Sequence, residues 1–182
     1  MNDELKVLNE VTQRLDKAKI AYVISGSIAA NYYTIPRMTR DIDVVIEMKM
    51  ENVDEFIQLF QTDFFVDPDM VKDEVQKRGM FNLIHTLFVI KIDFILRKDS
   101  SWQEAMFTHR RKIDINGAPT WLISAEDLIL AKLSWAKDSI SELQLKDVQN
   151  LLNLVKPLDQ TYLNHWVKQL GLHDIYQKVN NV

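Results

Sequence analysis

The chain has no cysteine among its 182 residues. This absence excludes disulfide bonds, zinc sites built on thiolates and catalysis by a thiol nucleophile. The chain also lacks any apolar run approaching the roughly 18 residues that a membrane-spanning helix needs. Its first residues, MNDELKVLNE, are charged and lack the apolar core of a signal peptide. We therefore expect a cytoplasmic protein without a membrane partner.

The chain also has fewer basic than acidic residues. The chain has 22 Lys and Arg residues against 26 Asp and Glu residues, which gives a formal net charge of −4. Proteins that bind long nucleic acids usually carry a basic face, whereas the one tight basic cluster here is Arg110, Arg111 and Lys112. Binding to extended nucleic acid is therefore not expected. A single nucleotide or the end of an RNA could still bind.

Hydrophobic spacing predicts helices and strands in the first part of the chain. Helices are predicted at 4–17, 27–33, 53–60 and 68–78, with Asp67 as the N-cap of the last and Gly79 as its end. Strands are predicted at 21–25, 41–47, 81–86 and 88–96, followed by a hairpin of 111–115 and 120–123 around Asn116-Gly117.

From Ser124 onward the pattern is helical. Ser124 and Asp127 resemble a capping box, apolar residues then recur at helical spacing, and breaks fall near Pro157 and Gly171. We predict an α+β fold with two parts. Residues 1–120 would form a small mixed β-sheet flanked by helices, and residues 121–182 would form a C-terminal helical subdomain.

Two aspartates stand at the start of the second predicted strand. Asp41 and Asp43 are two residues apart, so they point to the same face of a strand at a spacing of roughly 6 to 7 Å. Asp is disfavoured in strands, and Val44 to Ile46 indicate burial, which makes two acids costly unless a cation neutralises them. Carboxylates so placed can share one Mg²⁺ or two ions about 3.5 to 4 Å apart. The alternative is a solvated strand face.

A glycine and a serine stand where the first predicted strand turns into a helix. Gly26 permits close backbone approach, and the N-terminus of the following helix offers N–H groups to an anion. The hydroxyl of Ser27 could add a phosphate contact. The alternative is an ordinary turn with a capping serine.

A third acid, Asp93, interrupts the apolar strand that begins near Phe88. Its partner could be Lys91 on the same face or a metal ion. With a metal present, Asp93 could also deprotonate an acceptor hydroxyl as a general base.

These three pieces together resemble the signature of the nucleotidyltransferase superfamily, which includes DNA polymerase β, aminoglycoside adenylyltransferases and the minimal nucleotidyltransferases. The resemblance covers about residues 20 to 97. It implies that Asp41 and Asp43 are the metal-binding pair, that Asp93 is the third metal-binding and catalytic acid, and that Gly26 and Ser27 face the nucleotide phosphates. It implies magnesium, as one or two ions, and a nucleoside triphosphate such as ATP as substrate.

The helical part extends the resemblance. The stretches beginning at Ser124 and Leu145 look like the C-terminal half of bacterial nucleotidyltransferases of the AbiEii toxin type. That likeness implies that Lys132 contacts the phosphates and that Asp147 completes the nucleotide site. The toxins often carry an arginine before this aspartate, where this chain has Lys146.

Other polar and aromatic residues carry weaker signals. Arg40 is a candidate for clamping the triphosphate, and Arg37 is expected to pair with Asp41 or Asp43. The four histidines lack metal-ligand spacing and are expected to be ordinary polar or packing residues: His85, His109, His165 and His173. The four tryptophans are expected in the core or an interface, with none forming a base-stacking platform: Trp102, Trp121, Trp135 and Trp166.

The expected function is therefore that of an enzyme, a magnesium-dependent nucleotidyltransferase. It would move a nucleoside monophosphate from a triphosphate to a hydroxyl on a small molecule, a tRNA end or a protein. The alternative is a non-catalytic module that binds a nucleotide or a protein partner, as in a toxin–antitoxin pair. A third reading is an α/β domain whose acids are structural.

Overall fold

The computed structural model describes residues 3–39, 41–139 and 141–180. Within these ranges the strands form one seven-stranded mixed sheet in the order β3-β4-β5-β2-β1-β7-β6. The strands are β1 (Ala21–Ile24), β2 (Asp41–Glu47), β3 (Phe64–Phe65), β4 (Met80–His85), β5 (Lys91–Leu96), β6 (Arg111–Ile115) and β7 (Ala118–Leu122). The α-helices are α1 (Asp3–Lys17), α2 (Gly26–Tyr33), α3 (Val53–Phe60), α4 (Pro68–Lys77), α5 (Ser101–His109), α6 (Ala125–Ser139), α7 (Glu142–Leu154), α8 (Gln160–Gln169) and α9 (His173–Asn180).

Strand β2 lies at the centre of the sheet, between β1 and β5. It pairs antiparallel with β1 and parallel with β5. A parallel pair needs a long crossover connection, and here α3, β3, α4 and β4 supply it. The register places Asp43 directly opposite Asp93 and Asp41 opposite Lys91.

An aromatic cluster covers one face of this central region. Phe94 on β5 and Phe81 on β4 pack against Phe56 and Phe60 of α3, with ring centroids 4.6 to 5.8 Å apart. All four rings are fully buried. Because successive strand residues point to opposite faces, burying Phe94 here turns Asp93 to the other face of the sheet.

Most predicted elements are confirmed, with differences at their ends. Asp67 caps α4 by accepting hydrogen bonds from two backbone N–H groups, and the Asn116-Gly117 turn has positive φ at both residues. Helix α2 begins at Gly26, with Ser25 as N-cap in place of Ser27. Helix α4 ends in a left-handed Arg78, one residue before Gly79.

The helical part begins at Ala125, after β7 has joined the sheet. A single cluster of buried apolar residues contains side chains from the sheet and from α6 to α9. The division at residue 120 stays a prediction. None of the described helices combines the length and the apolar character needed to cross a membrane.

Candidate active site

Three predicted site residues lie on one face of the sheet, on the two central strands. Asp43 and Asp93 are paired in register on neighbouring strands, which lie about 4.8 Å apart. Asp41 is two residues before Asp43 and points to the same face. Asp93 is only 8% exposed, Asp43 is half-buried, and Asp41 is exposed. The acids therefore run from the interior of the molecule towards solvent.

Lys91 lies among these acids and contacts two of them. Its Nζ is 2.8 Å from Asp93 Oδ2 and 3.8 Å from Asp41 Oδ1. The hydrogen bond to Asp93 raises the pKa of Lys91. The lysine expected as an alternative partner of Asp93 is therefore present, and it compensates part of the acidic charge.

This compensation leaves one oxygen of the third acid without a partner. Asp93 Oδ1 is buried and accepts no hydrogen bond from any described residue. Burial raises the pKa of Asp43, the charge of Asp93 raises it further, and Lys132 opposes both effects. A carboxylate pair with an orphaned oxygen and incomplete charge compensation fits a hard divalent cation such as Mg²⁺.

The three acids are nevertheless not drawn into a tight group. In the described ranges, the potential metal-ligand atoms that all lie within 4.8 Å of one another belong to a different group, Glu10, Asp63 and His85. That second group is explained without a metal. Two backbone N–H groups donate to His85 Nδ1, which leaves the ring proton on Nε2, and Arg14 pairs with Asp63. A protonated Nε2 cannot ligate a cation.

The glycine turn closes directly over Asp43. Gly26 has φ +59°, and a Cβ added to it would overlap Asp43 Oδ2 and lie 2.5 Å from Cγ. The backbone N–H of Ser25 donates to the Asp43 carbonyl at 2.9 Å, which fixes the turn against β2. Glycine is thus required here both for its backbone conformation and for space.

A second charged group joins α2 to the C-terminal helices. Lys132 Nζ on α6 donates to Asp147 Oδ2 on α7 at 2.8 Å, and both residues are buried. Arg37 donates to the same oxygen at 3.2 Å and to Ser27 Oγ at 2.8 Å. Burial by itself would raise the pKa of Asp147, but Lys132 and Arg37 outweigh it and lower the pKa.

This group corrects one expectation and leaves another outside the described residues. The predicted pairing of Arg37 with Asp41 or Asp43 is wrong, because its guanidinium contacts Asp147 and Ser27 instead. Arg40 lies outside the described residues. Sequence spacing could not have found the partner of Arg37, because Asp147 is 110 residues away.

A cavity of about 170 Å³ lies between Asp43 and Lys132. Its lining combines the glycine turn, one acid, the cationic group and an apolar wall: Ser25, Gly26, Ser27, Asp43, Ile95, Leu128, Ala131, Lys132, Trp135 and Gln144. Among these lining residues, Trp135 is 54% exposed. The arrangement can accept a polyanion at the glycine turn, next to carboxylates that can hold a cation.

The tryptophans divide into two groups. Trp102 is buried and donates to Asp127, and Trp121 and Trp166 are partly buried against the core. Trp135 is 54% exposed at the cavity, which excludes the core alternative for it, whereas the expected interface position stays a prediction. The sequence already indicated that Trp135 lies near the predicted phosphate contact, because it follows Lys132 by three residues and so shares its helix face.

No protein-family model matches the chain, and no curated protein matches it significantly. Solved structures do match. An antigenic nucleotidyltransferase-like protein from Paracoccidioides brasiliensis is 19% identical, with a TM-score of 0.59 over 98% of this chain and 93% of that one. The antibiotic-resistance factor ANT(2″)-Ia is 11% identical, with a TM-score of 0.59 over 97% of each chain. The lincosamide antibiotic adenylyltransferase LnuA is 14% identical, with a TM-score of 0.55 over 85% of this chain and 98% of that one.

These similarities establish the fold of the chain. It has the nucleotidyltransferase fold, a mixed sheet with flanking helices, and the fold class predicted from the sequence is confirmed. The roles of the individual site residues stay predictions.

Proposed function

We propose that the chain is a metal-dependent nucleotidyltransferase, which moves a nucleoside monophosphate from a nucleoside triphosphate to an acceptor hydroxyl. One observation carries the proposal. Asp43 and Asp93 face each other in register, beside a glycine turn that leaves no room for a side chain. Buried acids so placed are costly without a cation, and the adjacent cavity suits a polyanion.

The triphosphate would bind against the start of α2. Gly26 and Ser27 present the backbone of the first helical turn, where N–H groups and the helix dipole favour negative charge. Lys132 lines the same cavity and would add a positive charge. Its contacts with Asp147 and Gln144 would hold the ammonium group in place and leave one of its three donors for a phosphate oxygen.

The acids would hold the metal and prepare the acceptor. Asp43 and Asp93, with Asp41 at the solvent side, would bind Mg²⁺, which when bound neutralises phosphate charge and orients the reacting oxygens. Asp93 would take the proton of the acceptor hydroxyl. The hydroxyl oxygen then bonds to the α-phosphorus, the bond from that phosphorus to the oxygen bridging to the β-phosphate breaks, and pyrophosphate leaves.

The acceptor would approach Asp93 from the side of β4. Asn82 is paired directly with Asp93, and Met80 and Ile84 are exposed on the same face. An amide next to the proposed base, with apolar side chains on either side, would suit a hydroxyl carried on a partly apolar body. Small molecules, a tRNA end and a protein side chain all stay candidates.

One observation favours a second candidate function, a non-catalytic module that binds a nucleotide or a protein partner. Lys91 already contacts Asp93 and Asp41, so these acids have a counter-charge without a metal. A chain of this kind would bind nucleotide without transferring it, as in a toxin–antitoxin pair. The two candidates therefore differ in turnover.

Transfer of label from α-³²P nucleoside triphosphates into components of a cell extract tests turnover directly. We expect labelled product with the wild-type chain and Mg²⁺, and none with Asp93→Asn. Asp54→Asn is the matched control, because it removes the same charge from an exposed position on α3. Equal labelling by Asp93→Asn would contradict the catalytic role of Asp93. Nucleotide binding without labelled product would favour the non-catalytic candidate.

A further inference from the structure

Trp135 is exposed on a helix whose apolar residues are otherwise buried or partly buried. Its neighbours Leu133 and Ala136 are buried, whereas 54% of Trp135 is accessible. Within the described residues, its indole takes part in no ring–ring, cation–π or side-chain hydrogen-bond contact, unlike the indole of Trp102, which donates to Asp127. Such an indole offers an open aromatic face to a ligand.

Helix geometry aims this ring at the candidate nucleotide cavity. Leu128, Ala131, Lys132 and Trp135 recur at the spacing of one helix face, and all four line the cavity. Trp135 is three residues beyond Lys132, about 4.5 Å further along the helix axis. The cavity therefore has a cationic end and, one turn away, an aromatic end.

The sheet adds an apolar side chain to the wall of the same cavity. Ile95 follows Asp93 by two residues on β5, so it shares the face of the acids, and it lines the same cavity as Trp135. A flat ring bound in this cavity would have an indole and an aliphatic side chain available as contacts. Its attached phosphates would reach the glycine turn and Lys132.

We infer that Trp135 stacks on the base of the bound nucleoside triphosphate. The inference rests on the proposed function, because it assumes that the phosphates bind at Gly26, Ser27 and Lys132. Stacking tolerates every base, since each has a π-face, so Trp135 strengthens nucleotide binding without selecting one base strongly. Ile95 supplies an aliphatic contact in the same site.

Calorimetric binding of two magnesium complexes, Mg·ATP and Mg·tripolyphosphate, separates the base from the phosphates. Wild type is expected to bind Mg·ATP about tenfold more tightly than Mg·tripolyphosphate. Trp135→Leu should weaken Mg·ATP by about the same factor and leave Mg·tripolyphosphate unchanged. Trp135→Phe should retain most of the Mg·ATP affinity, because phenylalanine keeps an aromatic face. Both replacements are at an exposed helix position and are expected to fold.

A spectroscopic readout distinguishes stacking from a structural role. Mg·ATP should quench the tryptophan fluorescence of wild type, and Trp135→Phe should lose this quench while still binding. Trp121→Phe is the control, because Trp121 lies on β7 against Arg110 and Lys112 and should keep the quench.

Three results would overturn the inference, and they identify different failures. If wild type binds Mg·tripolyphosphate as tightly as Mg·ATP, the base is not held and the stacking role is refuted, while the phosphate site stands. If Trp135→Leu weakens both ligands equally, the residue supports the helix and does not contact the base. If wild type binds neither ligand, the proposed function fails and the inference fails with it.

Discussion

Replacing Gly26 with alanine is expected to displace Asp43 from the candidate site. The added methyl group would overlap Asp43 Oδ2, and it would lie 2.5 Å from Cγ and 2.8 Å from Cβ of that residue. Rotating the Asp43 side chain moves its carboxylate but leaves its Cβ in place. The turn between β1 and α2 therefore has to move away from β2.

Two costs determine the size of the effect on stability. A residue other than glycine in the left-handed region costs about 1 to 2 kcal/mol, and Gly26 has φ +59°. Overfilling a packed position typically costs a further 1 to 3 kcal/mol, roughly, in backbone and side-chain shifts. We expect Gly26→Ala to lower the free energy of unfolding by about 2 to 5 kcal/mol.

Gly117→Ala separates these two costs. Gly117 has φ +81°, and an added Cβ there would meet no atom within 4 Å. This variant should lose only the conformational part, about 1 to 2 kcal/mol. Urea unfolding of both variants measures the difference, and calorimetry should find Mg·ATP binding lost in Gly26→Ala and kept in Gly117→Ala.

Equal losses of stability in the two alanine variants, with Mg·ATP binding like wild type in both, would refute the expected displacement of Asp43. That result would mean that the turn accepts a side chain without disturbing Asp43. The close packing of glycine and acid would then have no bearing on nucleotide binding.

Three further predictions concern charges and buried hydrogen bonds. Lys91→Met removes the cation among the acids, so we expect several-fold tighter Mg²⁺ binding, measured as a larger rise in Tm on adding Mg²⁺. A rise equal to that of wild type would contradict a competition between Lys91 and Mg²⁺ for the carboxylates. Tyr162→Phe removes a hydroxyl that donates to the buried Asp127 carboxylate at 2.8 Å, and it should lower the free energy of unfolding in urea by about 1 to 3 kcal/mol. An unchanged free energy would mean that water replaces the hydroxyl. Burial opposes the hydrogen bond and charge of Lys132, which prevail and lower the pKa of Asp147. The charged Asp147 therefore contributes stability above the ordinary pKa of 3.8, and this contribution is lost as the pH falls through the lower pKa of the folded state. The loss of unfolding free energy in Asp147→Asn, measured by urea unfolding, should shrink below that pH. A loss that does not change with pH would mean that the charge is irrelevant.

Features that depend on local sequence could be predicted well. The spacing of Asp41 and Asp43 fixed their common face, because strand side chains alternate. Asp67 could be predicted as a cap, and Asn116-Gly117 as a hairpin turn, because each depends on a few neighbouring residues. These parts of the fold follow from propensity and turn chemistry.

Features that depend on distant pairing could not be predicted from residue patterns alone. The register that places Asp43 opposite Asp93 joins residues 50 positions apart, and only the family resemblance suggested it. Strand β3 has two residues, which is too short to give a periodic signal. Arg37 finds its partner on α7, and the exposure of Trp135 depends on how α6 packs on the sheet.

Calorimetric titration of Mg·ATP into wild type and Asp43→Asn tests most directly whether the facing carboxylates form a cation-dependent nucleotide site. Because burial and the charge of Asp93 raise the pKa of Asp43, the neutral amide should not lower the stability of the fold. We predict that wild type binds Mg·ATP and that Asp43→Asn, equally folded, shows no binding heat. Equal affinity of the two proteins would contradict the account.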